Sequence, residues 1–306
     1  MPELPEVETI RRQLAPIVEG RRIERIEVLD PRWSRPLAPA ELEQALAGRR
    51  IERLGRRGKY LVWSLAGDVH LAQHLRMTGA VLVDAEPASS TEWEPAHVRV
   101  RMLLGGRGRQ RRRARLVVDD PRRFGTGELL LGGRALEAFF AARLGLEPFD
   151  ERFTVAHLQA LARGRGAPIK AFLLDQRMVA GVGNIYADEA LFRAGIHPRR
   201  PAGKLTRAQW QRLREGVIDA LEAGIDARGA SIDDFRHIDG AKGSFQDRFL
   251  VHTRAGEACG VCGTTIEKLV VAGRGTYVCR ACQRPPRLRP PRARPAARSR
   301  RPPAPR

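Results

Sequence analysis

Two C-x-x-C pairs restrict the fold of this chain more than any other sequence feature. Cys259 and Cys262 form the first pair, Cys279 and Cys282 form the second, and sixteen residues separate the pairs. This spacing is typical of a zinc ribbon in which four thiolates bind one structural Zn²⁺. Two disulfides are the alternative, and they are rare in the cytoplasm, where we expect the protein to act. The sequence therefore predicts a closed zinc site.

Positive charge extends over the whole chain, whose 306 residues carry a formal charge of +20. The segment 283–306 contains nine arginines and no acidic residue, and without it residues 1–282 still carry +11. A basic body of this kind favours phosphate contacts and predicts a nucleic-acid partner. The alternative is a basic face that is simply solvated.

Two classes of protein are excluded by the distribution of apolar residues. No run of about 18 apolar residues is present, so we predict no contact with a membrane. The start, MPELPEVETI, lacks the basic and apolar regions of a signal peptide. We expect a soluble, cytoplasmic protein.

The hydrophobic pattern predicts a helix over 5–18 and then a series of short strands bounded by Gly or Pro. The predicted strands are 21–30, 51–54, 60–65, 69–75, 80–84, 98–104, 115–119 and 127–131. Successive short strands without intervening helices favour a β-sandwich. The polar segment 105–115 predicts a basic hairpin loop within it.

Helical periodicity dominates after residue 135. The predicted helices are 135–144, 154–163, 168–175, 185–194 and 206–224. In the last helix, an apolar stripe is expected to face the core and Thr206 is a candidate N-cap. This stripe consists of Trp210, Leu213, Val217 and Leu221. The Gly- and Asp-rich segment 226–248 predicts a loop.

These patterns predict an α+β fold with several domains. The boundaries are a β-sandwich domain with its N-terminal helix over 1–134, a linker over 135–150, a helical domain over 151–248, a zinc finger over 249–283 and a disordered Arg/Pro-rich tail over 284–306.

The N-terminus offers a second chemical signal. Pro2 is small enough to permit removal of Met1, which would expose a secondary amine beside Glu3 and Glu6. A neutral amine attacks carbonyl-like carbons, and a secondary amine forms an iminium that cannot lose an N–H proton. Such an iminium is a strong electron sink. The alternative is that Pro2 and Pro5 only lead into a helix.

Seven motifs, taken in order, resemble bacterial formamidopyrimidine-DNA glycosylases. They are PELPEVET after Met1, GKYL at 58–61, HLRMTG at 74–79, DPRRFG at 120–125, VAGVGNIYADEALF at 179–192, GIHP at 195–198 and the terminal GR-x-T-x-x-C-x-x-C-Q at 273–283. The resemblance spans residues 2–283. It implies a helix–two-turn–helix element over 168–194 and a catalytic role for the N-terminal domain.

The resemblance implies a bifunctional DNA glycosylase/AP lyase that acts on duplex DNA containing 8-oxoguanine or formamidopyrimidines, as a monomer associated with the bacterial nucleoid. Pro2 matches the nucleophile that attacks C1′, and Glu3 matches the general acid/base. Lys59 matches a proton donor in β-elimination, and Arg274 matches the zinc-hairpin arginine assigned to δ-elimination. Zinc is the single cofactor implied.

A DNA lyase must extrude the damaged nucleotide and fill the space that it leaves. Met77, Arg122 and Phe124 match the residues of the family that fill this space. The predicted phosphate contacts are Asn184, Lys170 and Arg165, with His97 as a further DNA contact; Asn184 begins a helix, where exposed N–H groups bind anions. Five of these residues also have a purely structural alternative: Met77, Arg122, Phe124, Asn184 and His97.

Three features depart from the family pattern. Ser231 stands where Thr is common, within the segment 229–245 that matches a lesion-recognition loop. His252 stands where Tyr is common, and the 105–115 loop is longer and more basic than usual. These departures bear on base preference and DNA contacts.

Two other functions remain open from the sequence. One is a non-catalytic zinc-ribbon protein that binds damaged DNA, which would not need a free Pro2. The other is a glycosylase of the endonuclease VIII type that acts on oxidised pyrimidines.

Overall fold

The computed structural model describes residues 1–84, 95–106, 112–231, 238 and 240–286. The predicted basic loop, the lesion-recognition loop and the Arg/Pro tail lie partly or wholly outside these residues. The predicted helices and the eight predicted strands occur in the predicted order, and the described residues add an α-helix over residues 39–46, two short 3-10 helices (Ala202–Lys204 and Phe245–Arg248) and two strands near the C-terminus.

Eight strands form two antiparallel four-stranded sheets. The strands are β1 (Ile23–Val28), β2 (Ile51–Arg57), β3 (Tyr60–Leu65), β4 (Val69–His74), β5 (Ala80–Asp84), β6 (Val98–Leu104), β7 (Ala114–Asp119) and β8 (Thr126–Leu131). One sheet has the order β1-β6-β7-β5 and the other has the order β2-β3-β4-β8. Their inner faces supply one apolar core, so the predicted β-sandwich is confirmed.

The helices are α1 (Leu4–Val18), α2 (Pro39–Leu46), α3 (Gly133–Ala141), α4 (Val155–Ala162), α5 (Ile169–Leu174), α6 (Asn184–Arg193) and α7 (Arg207–Asp226). Helices α4 to α7 surround a second core that contains the predicted stripe of α7. Thr206 caps α7, because its Oγ1 accepts a hydrogen bond from the Gln209 N–H at 3.2 Å. The segment predicted as a linker contains α3, whose Phe139 and Phe140 pack against the sheet of β3 and β4.

Helix α1 joins the two cores. Val7, Ile10 and Leu14 pack in the sandwich core, whereas Leu4 belongs to the helical core. The Leu4 N–H donates to the Gly181 carbonyl at 3.0 Å. The first residues of the chain are therefore held at the junction between the two domains.

A β-hairpin of β9 (Glu267–Val271) and β10 (Arg274–Val278) completes the described chain. It lies against α6, and its small core contains Cys259, Cys279, Val251 and Ile266. Among the helices of the described residues, none is both long and apolar enough to cross a membrane.

Candidate active site

A cavity of about 470 Å³ lies where the N-terminus, the sandwich, the helical domain and the hairpin meet. Seven of its fifteen lining residues can carry charge. Its chemically active lining residues are Glu3, Glu6, Lys59, His74, Arg76, His252 and Arg274. The motifs predicted roles for three of these residues, Glu3, Lys59 and Arg274, which lie far apart along the chain, and the fold brings them together.

Glu3 is fixed at the N-terminus of α6. Its two carboxylate oxygens accept hydrogen bonds from the Gly183 N–H at 2.7 Å and the Ile185 N–H at 3.0 Å. These amides are the unpaired donors of a helix start, where a negative charge is favoured. The Glu3 side chain is thus buried and held in one orientation beside the cavity.

The contact between the Glu3 carboxylate and the start of α6 requires glycine at position 183. A Cβ at this position would lie 2.5 and 2.6 Å from the two carboxylate oxygens of Glu3, which are pinned by backbone amides. Gly183→Ala should therefore displace Glu3 and lower base excision by about 10²-fold, the cost of a misplacement near 1 Å. Initial rates on a single-lesion duplex would measure this loss.

Gly166→Ala is the matched control, because a Cβ on Gly166 meets no atom within 4 Å. Equal rates for the two variants would show that the orientation of Glu3 is unimportant.

Glu6 links the N-terminus to the segment after α7. Its Oε1 accepts hydrogen bonds from the Tyr186 hydroxyl at 2.7 Å and the Ala230 N–H at 2.8 Å, and its Oε2 accepts from the Glu3 N–H at 2.8 Å. Burial, assisted by the neighbouring Glu3 charge, raises the pKa of Glu6 above its ordinary value. Glu6 is therefore a supporting residue that fixes the backbone at both ends of the site.

Pro2 is buried directly behind Met1, which is 43% exposed and lines the cavity. With Met1 attached, the Pro2 nitrogen is an amide and is not nucleophilic. Loss of Met1 would leave a secondary amine at the cavity wall, one residue from the fixed Glu3.

Lys59 and His74 form the sandwich side of the cavity. Burial lowers the pKa of Lys59 below its ordinary value, against the opposing effect of Glu3 and Glu6. Burial, with the charges of Arg76 and Lys59, lowers the pKa of His74 to about 3. His74 is consequently neutral, and its Nδ1 accepts a hydrogen bond from the Arg76 N–H at 2.9 Å. A lysine with a lowered pKa can exchange protons closer to neutral pH than an exposed one.

The four cysteines converge on one point. Their sulfur atoms all lie within 4.8 Å of one another, with Cys262 Sγ 3.4 Å from Cys279 Sγ and Cys259 Sγ 4.0 Å from Cys282 Sγ. Ligands at about 2.3 Å around a tetrahedral zinc ion would be about 3.8 Å apart. The donor set fits one zinc ion, which confirms the predicted site, and all four cysteines are free of disulfides.

The zinc hairpin presents Arg274 to the cavity. Arg274 is exposed at the start of β10, and the next residue, Gly275, is anchored through its carbonyl by Asn184 Nδ2 at 3.0 Å and Lys170 Nζ at 3.1 Å. Helices α5 and α6 thereby fix the position of the arginine.

Lys170 differs from its predicted role. It is fully buried, and its ammonium donates to Asp188 Oδ1 at 2.7 Å and Thr276 Oγ1 at 2.8 Å as well as to the Gly275 carbonyl. An ammonium has three N–H donors, and all three are used inside the protein. We therefore revise the predicted phosphate contact: Lys170 positions the hairpin from behind the cavity.

The three residues predicted to fill the space left by an extruded nucleotide lie on two loops of the sandwich. Met77 lines the cavity after β4, whereas Arg122 and Phe124 lie on the turn between β7 and β8. Phe124 is 52% exposed, and the Arg122 guanidinium lies 5.0 Å from its ring centre. The arrangement leaves an apolar side chain and a donor group accessible on the same turn.

Two predicted DNA contacts lie outside the cavity wall. His97 is exposed just before β6, and Arg165 is exposed in the loop after α4. Arg165 Nε donates to the Leu161 carbonyl at 2.7 Å. Their DNA-binding roles stay predictions.

Sequence reasoning missed two residues that organise the site, the half-buried Gln176 and the buried Asp188. Gln176 closes the turn before α6, because its amide accepts from the Gly181 N–H at 2.9 Å and donates to the Val182 carbonyl at 2.8 Å. The Asp188 carboxylate contacts both the Lys170 ammonium and the His252 imidazole. Asp188 could have been found in the sequence as an acidic residue within the largely apolar segment NIYADEALF.

Three family models match successive parts of the chain. Residues 1–127 match the formamidopyrimidine-DNA glycosylase N-terminal domain, residues 144–236 match its H2TH domain, and residues 256–285 match the zinc finger found in FPG and IleRS.

Close relatives cover nearly the whole chain. The formamidopyrimidine-DNA glycosylase of Chloroflexus aurantiacus is 45% identical over 287 residues, which span 92% of this chain and 98% of the relative. Lactococcus lactis FPG, solved with DNA containing Fapy-dG, is 35% identical with a TM-score of 0.82, covering 92% of this chain and 100% of the other. The wild-type L. lactis enzyme, solved with DNA containing an oxidised pyrimidine, is 34% identical with a TM-score of 0.83, covering 93% of this chain and 100% of the other.

Proposed function

This chain belongs to the formamidopyrimidine-DNA glycosylase family and is a DNA glycosylase of base excision repair; we propose that it excises oxidised purines through a covalent intermediate on Pro2. The observation that carries the proposal is the position of Pro2 directly behind Met1, which lines the charged cavity, and next to Glu3, whose carboxylate is fixed by α6.

The first step requires a free Pro2 amine. Its nitrogen attacks C1′ of the extruded nucleotide, the bond from C1′ to the base breaks, and the base leaves with a proton. Glu3 supplies and accepts protons as the sugar ring opens, which gives an iminium between Pro2 and C1′. The backbone amides that hold Glu3 keep its carboxyl group in place throughout.

The iminium then drives strand cleavage. It acidifies C2′, and loss of that proton followed by cleavage of the C3′–O bond releases the 3′ phosphate. A second elimination breaks the C5′–O bond and releases the 5′ phosphate. Lys59, whose pKa is lowered by burial, exchanges protons in these steps, and Arg274 binds the phosphates from the hairpin. The four cysteines hold the zinc ion, which stabilises the hairpin.

DNA contacts complete the proposal. Met77, Arg122 and Phe124 fill the space left by the extruded nucleotide, and Asn184, Arg165 and His97 contact the backbone. Lys170 acts indirectly, through the hairpin. We further propose that the protein acts as a monomer in the bacterial cytoplasm.

Lesion choice is tested with a panel of single-lesion duplexes. We expect faster excision of 8-oxoguanine opposite C and of formamidopyrimidines than of thymine glycol, measured as single-turnover rates with the same enzyme preparation. The panel includes a pyrimidine lesion because an L. lactis relative has been solved with oxidised-pyrimidine DNA. Faster release of thymine glycol would assign the enzyme to oxidised pyrimidines instead.

A further inference from the structure

Helix α7 presents a row of carboxylates to solvent. Its apolar stripe packs in the helical core, and the opposite side of the helix is exposed. The acidic residues on that side recur three or four positions apart, so they lie along one face. They are Glu215, Asp219, Glu222 and Asp226, which together are named here the acidic face of α7. The face is a locally negative surface on a chain whose formal charge is +20.

The carboxylates of the acidic face lack cationic partners. Glu215 accepts a hydrogen bond from the Gln211 amide at 2.6 Å, but none of the four residues forms an ion pair within the described part of the chain. Other exposed carboxylates, such as Glu257 beside Arg254 at 2.8 Å, already have one. Because like charges three or four residues apart on a helix repel one another, a cationic partner would stabilise this face.

One end of the acidic face borders a cavity of about 400 Å³ that contains an exposed aromatic ring. Phe149, which is 41% exposed, lines this cavity together with Ile225 and with Glu222 and Asp226 of the face. The other lining residues already form ion pairs with one another, and they are Glu8, Arg12 and Arg56. A guanidinium can stack on an aromatic ring while it pairs with a neighbouring carboxylate. The cavity wall therefore favours an arginine side chain.

The chain itself contains a segment of matching chemistry. The Arg/Pro tail over 284–306 has nine arginines and no acidic residue. The described residues end at Pro286, so twenty residues with eight of these arginines follow. Proline-rich segments favour an extended conformation that rises about 3.1 Å per residue, which gives these twenty residues a reach of about 60 Å.

The tail leaves the fold beside α7. Gln283 Nε2 donates to the Ile196 carbonyl at 2.9 Å, and Arg212 Nε of α7 donates to the Ala194 carbonyl at 3.1 Å. The last described residues and α7 therefore contact the same turn after α6. The acidic face begins about one helical turn further along α7 and extends for about 16 Å, at 1.5 Å per residue. The whole face lies within reach of the tail.

We propose that the acidic face of α7 binds the chain's own Arg/Pro tail, with arginine side chains paired to its carboxylates and one of them stacked on Phe149. Tethering keeps the tail at a high local concentration, so exposed ion pairs that are individually weak can hold it. An arginine held in this way is not available to a phosphate. The acidic face thereby limits contact between the tail and undamaged DNA.

Trypsin cleavage of the full chain measures whether the tail is held. Trypsin cleaves after arginine unless proline follows, and the bonds open to it beyond Pro286 follow Arg287, Arg292, Arg298 and Arg300. Asp219→Asn combined with Glu222→Gln removes two carboxylates from the middle of the face. By intact mass, we expect the tail of this variant to be cleaved at least about threefold faster than that of the wild type at low salt, the scale of two lost exposed ion pairs. At about 0.5 M salt, which screens exposed pairs, the rates should converge.

Glu41→Gln combined with Glu137→Gln is the matched control. Both residues are exposed, lie on α2 and α3, and form no ion pair with any residue that the structure describes. This variant loses the same charge away from α7, and its tail should be cleaved at the wild-type rate. Equal cleavage rates for all three proteins at low salt would overturn the inference. Protection that increases with protein concentration would assign the face to a second copy of the chain and would also overturn it.

Affinity for undamaged duplex DNA gives a second readout on the same proteins. Both double variants lose two negative charges, which strengthens nonspecific binding of each to a similar extent. Release of the tail adds arginine contacts to phosphates in the α7 variant alone. Its dissociation constant should therefore be at least about threefold lower than that of the control variant at the same low salt. Equal dissociation constants would contradict the proposal that the acidic face limits contact between the tail and DNA.

Discussion

A protein whose N-terminus carries an uncleaved extension should lose base excision by at least about 10³-fold, the scale on which removal of a covalent nucleophile acts. The extension turns the Pro2 nitrogen into an amide, which cannot attack C1′ or form an iminium. Binding to a duplex with a reduced abasic site should persist, because the phosphate contacts come from other elements. Single-turnover rates measure the loss of excision, and dissociation constants measure whether binding is retained.

The control is the same extension joined through a protease site that leaves Pro2 as the first residue. Cleavage should restore the rate of the native protein. Catalysis through Pro2 requires that Met1 is removed in the cell, so intact mass should show the loss of one methionine. Unchanged excision with the extension in place would mean that another group is the nucleophile.

Removal of zinc should strongly reduce strand cleavage and weaken DNA binding. A structural zinc ion contributes about 10–16 kcal/mol to the folding of small zinc-binding modules. The hairpin has only a small apolar core, so without the metal we expect it to unfold and to release Arg274 and the Gly275 carbonyl. The buried ammonium of Lys170 then loses two of its three acceptors. We expect at least about a 10²-fold loss of strand cleavage, with the two sheets preserved.

Cys279→Ser and chelator treatment should give the same result, measured as zinc content, circular dichroism and cleavage rate on one sample. Val261→Ala is the control, since Val261 lies between two zinc ligands but is 73% exposed. Re-addition of Zn²⁺ should restore the chelated wild type. Full cleavage by zinc-free protein would show that the hairpin does not position a functional group.

The sequence predicted the helices and strands well where hydrophobic periodicity agrees with the residues that begin or end them. The α7 stripe and the Thr206 cap were both correct, because an apolar period of about 3.6 and a capping residue are local signals. Helix α2 was missed because only Leu42 and Leu46 of its eight residues are buried, which gives a weak pattern. How the two domains meet around α1 depends on contacts between distant residues, which periodicity does not record.

Less of the site than of the fold could be predicted from the sequence. Pro2, Glu3, Lys59 and Arg274 were identified through motifs, and the structure places Glu3, Lys59 and Arg274 on one cavity with Pro2 directly behind Met1. The burial of Lys170 could not be predicted, since it depends on an ion pair with a residue 18 positions away and on a hairpin residue 106 positions away. Long-range pairing of this kind leaves no local pattern.

A peptide map of the enzyme reduced with borohydride during turnover on an 8-oxoguanine duplex tests directly whether Pro2 is the nucleophile. The map should place the deoxyribose fragment on the nitrogen of Pro2, in a peptide that begins at that residue. A fragment attached to Lys59 or to any other side chain would contradict the mechanism.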